Sequence, residues 1–330
     1  MARNYTIDYI RLIYAFGVIL IHLEPSSLNA EKMTAYFGIG AVPFFLLTSL
    51  YLFQSKAARF DKINVWRILI PYFSWSAIYL ISRTVESLAT QTRLDYDWFA
   101  IIFLGGAAVQ LYFLPLLLCF LIVASAIYTL FVDRDCKISA KFLAIFSIIS
   151  LIVASNFFRG TSYLGFSNDF FSRALYYTFI SQSVLTLLPH FMQMRNKVFV
   201  FSVISAFALI FLGVEKKGVS SLAVSSLLLP VAILIACLMR PTYKVSKITN
   251  SILSTTYGIY ICHHLFIEII EFAFNKLSLN YSPYSISSKL IIAFAVIILS
   301  ILFVLLIRRW AILAFLLLGE AKSNKTGQST

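Results

Sequence analysis

Apolar runs long enough to cross a bilayer recur along the whole chain, and no other feature limits its fold as tightly. Inside hydrocarbon every backbone polar group must be satisfied within its own segment, so each run of roughly 20 apolar residues predicts one transmembrane helix. Such runs fall near 7–23, 36–54, 67–83, 110–132, 141–158, 171–192, 197–213, 219–239, 254–274 and 287–307. The expected fold is all-α, a polytopic integral-membrane bundle of about ten transmembrane helices filling residues 1–319. The polar residues 320–330 are expected to form a disordered cytoplasmic tail. Two apolar stretches are too short to cross. Residues 98–108 are expected to be re-entrant or interfacial, and the run WAILAFLLLG after Arg308 and Arg309 to lie along the surface.

Charge sets the expected orientation. With the amino terminus inside and the sides alternating, 18 of the 27 Lys and Arg residues fall on the inner face. That is the bias of a chain with both termini inside. The net charge of +13 could suggest a nucleic-acid partner. The basic residues nevertheless sit in loops between apolar spans, where orientation signals belong, so no nucleic-acid partner is expected. Charged residues make up only 12% of the chain, against about a quarter in soluble proteins, which leaves little room for a soluble domain. Cys119, Cys136, Cys237 and Cys262 lack ligand-like spacing and read as small core residues, with no metal site. The first span carries Asp8 and Arg11 and lacks a small-residue cleavage site, so it reads as a retained helix rather than a signal peptide.

That first span, YTIDYIRLIYAFGVILIHL, also holds the most informative polar residues. Eleven helical steps separate Arg11 from His22 and turn the chain about 1100°, roughly 20° past three turns. Both side chains therefore leave nearly the same face, about 16 Å apart along the axis. Asp8 is three residues before Arg11, within pairing reach. Ionisable groups inside a span usually line a cavity or reaction path. An elongated anionic ligand could meet Arg11 and extend its reactive end toward His22, the usual general base near neutral pH. The alternative is structural: an Asp8–Arg11 anchor at the interface, with His22 reaching the other one. A later span, YGIYICHHLFIEII, puts His264, Glu268 and Glu271 on one stripe, while His263 points about 100° away. That stripe favours an internal cavity, and a His–Glu hydrogen bond within the bundle would account for Glu268 structurally.

Five segments in order, IDYIRLIYAFGVILIH, VPFFLLTSLYL, RILIPY, QLYFLPLLL and YGIYICHH, make the chain resemble the membrane acyltransferase-3 family from residue 5 to about 310. The resemblance implies a bacterial inner-membrane protein of about ten helices. It would move an acyl group, usually acetyl, from cytoplasmic acyl-CoA to a carbohydrate hydroxyl. By matching position, His22 would be the catalytic histidine, Arg11 its essential partner and Asp8 the residue holding Arg11. Arg67 would be the second arginine of an RxxR motif, with Arg11, Arg67 and Lys62 meeting the CoA phosphates. Ser49, His263, His264 and Glu268 would line the substrate cavity. The expected acceptor is a cell-envelope glycan or lipid-linked saccharide, and membrane lipids and glycan-assembly machinery are the other expected partners. The chain departs from the family pattern in carrying Asn64 at the first RxxR arginine, Leu50 after Ser49 where a glycine is usual, and Gln110 where many members have histidine. No soluble esterase-like domain of the kind that some members carry is expected beside the membrane bundle. A transporter or flippase for a glycolipid or anionic solute is the rival reading, weakened by the lack of an internal repeat.

Overall fold

The computed structural model describes the chain except residues 1–2, 24–33, 39, 57–62, 92–96, 100, 103–105, 132–142, 144, 151, 153–168, 216–218, 277–285 and 321–330. The described residues are helical, with no strand among them. Helix α1 (Tyr5–His22) is followed by α2 (Ala41–Gln54) and α3 (Trp66–Thr90). A 3-10 turn (Val109–Tyr112) runs directly into α4 (Phe113–Phe131). Then come α5 (Asp169–Gln193), α6 (Arg195–Glu215), α7 (Val219–Met239), the short α8 (Lys247–Leu253), α9 (Thr256–Lys276), α10 (Ile286–Ile307) and α11 (Ala311–Leu318).

Among the described residues, seven helices are long and apolar enough to cross a membrane, fewer than the ten expected. The seven are Tyr5–His22, Thr34–Gln54, Trp66–Val85, Gln110–Thr129, Arg195–Gly213, Thr256–Phe274 and Ile286–Ile307. Most of the span expected at 141–158 lies outside the described residues. Helix α5 is long, but Arg173, Ser181, Gln182, Ser183 and Thr186 interrupt its apolar sequence. In α7 the apolar stretch that can be judged is the shorter Val224–Met239.

Helix α1 lies at the centre, packed on α2, α9, α10 and α7. Asn4 caps it by accepting from the Thr6 backbone N–H at 3.0 Å, and Asp8 in the first turn complements the helix dipole. Small residues let backbones approach where hydrocarbon offers no hydrophobic drive. A Cβ on Gly17 would run into the Phe37 carbonyl, and one on Gly258 would stand 2.5 Å from Val304 Cγ2. Gly17 thereby brings the 34–38 segment onto α1, and Gly258 brings α9 onto α10. Gln54 and the tyrosines supply polar ties across the core. Gln54 donates to the Thr178 carbonyl at 3.1 Å and accepts from the Ser181 hydroxyl. Tyr79 donates to the Ile261 carbonyl at 3.1 Å, and Tyr72 to the Ile101 carbonyl at 2.6 Å.

The last bond shows what becomes of the short apolar stretch at 98–108. Among its described residues Ile101, Ala107 and Ala108 are buried while Trp98, Phe99 and Ile102 are exposed, and Arg83 donates to the Gly106 carbonyl at 3.5 Å, so the stretch is anchored on α3 at single points. Helix α11 lies one face down on α3. It buries Ala314 and Leu318, exposes Ile312, and is fixed by a 2.9 Å bond from Trp75 Nε1 to the Leu317 carbonyl.

The amino-terminal segment meets the 240–250 segment at one end. Tyr5 N donates to the Thr242 carbonyl at 2.8 Å, and Arg3 donates to Asn250 at 3.0 Å. At the same end Arg308 binds both Glu320 oxygens and the Ser254 hydroxyl.

Candidate active site

Polar residues gather at two levels of α1. At the basic end a cavity of about 590 Å³ opens among α1, α2, α5 and the 238–243 segment. Arg3, Arg11 and Lys56 contribute cations to its wall, and Asp8 contributes a carboxylate. Asp8 takes a 2.7 Å bond from Arg3 Nε and stands 4.0 Å from Arg11 Nη1, the i,i+3 pairing that the sequence spacing predicts. The Arg11 guanidinium lies 5.5 Å over the Phe45 ring. Its Nε is buried and meets no acceptor among the described residues. A fixed guanidinium with donor capacity to spare, in a cavity with more cations than anions, suits a phosphate-bearing ligand.

At the other level, His22 ends α1 with its ring 5.3 Å from that of His263 and 5.4 Å from that of His264. The two α9 histidines point about 100° apart on a helical wheel, yet both reach His22 because its ring stands in the wedge between them. His263 is fully buried. Its Nδ1 faces the Tyr260 carbonyl at 2.7 Å and the Ile259 carbonyl at 3.2 Å. Carbonyls only accept, so the hydrogen sits on Nδ1 and the Nε2 lone pair faces inward. That Nε2 has no partner among the described residues. His264 Nε2 stands 3.5 Å from Glu268 Oε1, and its buried Nδ1 is likewise unpartnered. The His22 ring, set beside two imidazoles with buried, unsatisfied nitrogens, forms a site able to accept a proton and to hold a polar substrate.

Aromatic rings connect the levels. Phe45, beneath Arg11, lies 5.7 Å from Tyr260, and Tyr260 lies 5.9 Å from His263. Tyr79 stands 6.3 Å from His264, with its hydroxyl accepting from the Leu265 backbone N–H at 3.2 Å.

The structure thus brings Asp8 and Arg11 together at the cavity, and His22, His263, His264 and Glu268 together at the second level. Ser49 turns its hydroxyl back onto its own helix, donating to the Phe45 carbonyl at 2.7 Å. Arg67 is exposed at the start of α3, with its backbone against Gly319, and does not line the cavity. Lys62 lies outside the described residues. The sequence counted Arg3 and Lys56 only as orientation charges, because nothing local distinguishes a cavity cation from an interfacial one. Tyr79 and Tyr260 carried no signal beyond their place in apolar runs.

No metal-binding group of His, Cys, Asp and Glu occurs among the described residues. A family model described as an acyltransferase domain matches residues 4–309, a span that contains every residue placed at the two levels. No curated protein and no solved structure matches the chain.

Proposed function

The chain belongs to the acyltransferase-3 family, and from that premise we propose that it is a membrane O-acyltransferase moving an acetyl group from cytoplasmic acyl-CoA to a hydroxyl of a cell-envelope glycan or lipid-linked saccharide. The observation that carries the proposal is His22 seated between His263 and His264, one helix-length above a cationic cavity built on the same helix.

Arg3, Arg11 and Lys56 would hold the donor's phosphates at the basic end. The arm of CoA is long and flexible, of the same order as the roughly 16 Å between Arg11 and His22 along α1. Phe45 and Tyr260 flank that route. His22 takes the proton of the attacking hydroxyl, or carries the acyl group itself. His263, with its hydrogen fixed on Nδ1, offers an acceptor lone pair that orients a ring N–H of His22 and leaves the opposite ring nitrogen for the proton. His264 and Glu268 close the other side. A bacterial inner membrane is the expected location, with the acceptor entering from the side opposite the cationic cavity.

The test uses membranes carrying the protein or its His22→Ala variant, incubated with radiolabelled acetyl-CoA and a lipid-linked glycan extract. Base-labile label entering the glycan with wild type and not with the variant is the expected result. Equal labelling by both would remove His22 from the chemistry. No labelling above empty membranes would overturn the acetyl-transfer reading.

A further inference from the structure

Away from both levels of α1, a groove of about 650 Å³ runs along α6 where that helix leans on α7. Its walls are almost wholly apolar, and it is open along one side. On α6 the lining residues 197, 201, 205, 208 and 212 follow one another at steps of four and three, which keeps them on one face of the helix. Ser205 and Ala208 on α6 and Ala232 on α7 put small side chains where larger ones would fill the groove. From Lys197 to Leu212 the lining extends about 22 Å along the axis. One bilayer leaflet with its headgroup layer is about 20–22 Å deep.

Charge is confined to one end. Lys197 is the one charged residue among those lining the groove, and its long stem lets the ammonium reach the rim. Two more cations stand at that end of α6. Arg195 donates to the Met239 carbonyl, and Arg240 donates to Asn196 at 2.9 Å. Neither 189–214 nor 219–250 contains an acidic residue, so the two segments that form the groove supply no counter-charge. The same end carries the start of α1, where the Thr6 hydroxyl donates to the Arg240 carbonyl at 2.8 Å.

We propose that the groove binds one acyl chain of an anionic phospholipid, with the headgroup phosphate against Lys197. A small anion would leave the apolar walls unused, and an uncharged lipid would leave Lys197 without its partner. A second copy of the chain, related by a two-fold axis along the membrane normal, would bring one basic end against another. Lipid tails are as apolar as the groove walls, so the chain gains packing and little else over bulk lipid. Selectivity therefore rests on the headgroup, and one lysine at the membrane surface is worth about fivefold in affinity. This site lies outside the acyl-transfer machinery and its test does not depend on that activity.

The full chain, purified in mild detergent, is incubated with equal concentrations of phosphatidylglycerol and phosphatidylcholine of matched acyl chains, and the bound lipid is read by native mass spectrometry. Wild type is expected to retain one phosphatidylglycerol per chain at about fivefold preference. Lys197→Gln should bring the ratio of the two lipids close to one. Ser205→Phe with Ala208→Phe fills the groove and should abolish retention of either lipid while Lys197 remains in place. Equal retention of both lipids by wild type overturns the proposal, as does an undiminished preference in Lys197→Gln. Retention of one phosphatidylglycerol by the groove-filled variant also overturns it. A wild-type dimer that the filled variant abolishes assigns the groove to a second copy of the chain instead. Where the filled variant fails to fold, the lipid ratio in Lys197→Gln decides alone.

Discussion

Placing a methyl group on Gly258 tests whether the close approach of α9 and α10 holds the imidazole cluster in register. In Gly258→Ala the new Cβ would stand 2.5 Å from Val304 Cγ2 and 3.0 Å from both Val304 Cγ1 and Leu318 Cδ2. Carbon atoms in contact rest at about 3.5–4.0 Å, so the helices must part by about 1 Å at this point. Val304 is buried, and a β-branched side chain in a helix has one dominant rotamer, so it cannot swing aside. Overpacking of this kind costs about 1–3 kcal/mol. Alanine for glycine inside a helix returns about 1 kcal/mol, which leaves a net loss between about 0 and 2 kcal/mol. The cycle with Val304→Ala separates the terms, because the propensity gain is common to both arms and only the clash couples the sites. The expected coupling is about 1–2 kcal/mol, read from reversible unfolding in mixed detergent micelles. His263 lies five residues further along α9, about 7.5 Å away, so a 1 Å separation is felt at the cluster. Misplacement of that size can cost about 100-fold in rate. Acetyl transfer should therefore fall about 10- to 100-fold in Gly258→Ala and recover mostly in the double variant. A coupling within about 0.3 kcal/mol of zero, with transfer unaffected, would refute the reasoning.

Two further outcomes follow from the same geometry. Arg11→Lys keeps the charge but loses the planar fork, and is expected to raise the KM for acetyl-CoA about tenfold with little change in kcat, because an ammonium meets a phosphate as a point charge. Trp75→Phe strands the Leu317 carbonyl without its donor, at a cost of about 1–3 kcal/mol. The loss should appear as faster hydrogen exchange in α11, with the histidine cluster undisturbed; protection of α11 equal to wild type would show that the bond does not hold it.

The membrane fold was legible because length and hydropathy act residue by residue, and the strongest runs, such as Ile286–Ile307, needed no partner to be recognised. The short stretches were harder to read. Residues 98–108 have the hydropathy of an interfacial segment, and what ties buried Ile101 to the bundle is the Tyr72 hydroxyl, a partner 29 positions away in sequence. Ionisable residues inside spans were equally legible as candidates, since their cost in hydrocarbon marks them. Asp8, Arg11 and His22 carry that mark on α1, and His264 and Glu268 on α9. A helical wheel also fixes which residues of one helix share a face, and so it anticipated the i,i+4 contact of His264 with Glu268.

What a wheel cannot hold is the position of a second helix. On α9 alone His263 turns away from the polar stripe, and only the packing of α1 against α9 sets the His22 ring between His263 and His264. The same limit explains the cations. Arg67 and Arg11 look alike in sequence, each near the basic end of an apolar run, yet Arg11 lines the cavity while Arg67 is exposed at the start of α3. Arg3, ahead of the first helix, joins Arg11 because Asp8 draws it in at 2.7 Å. Sequence marks where polar groups are expensive, and the fold decides which of those costs converge on one place; here they converge on the tip of α1.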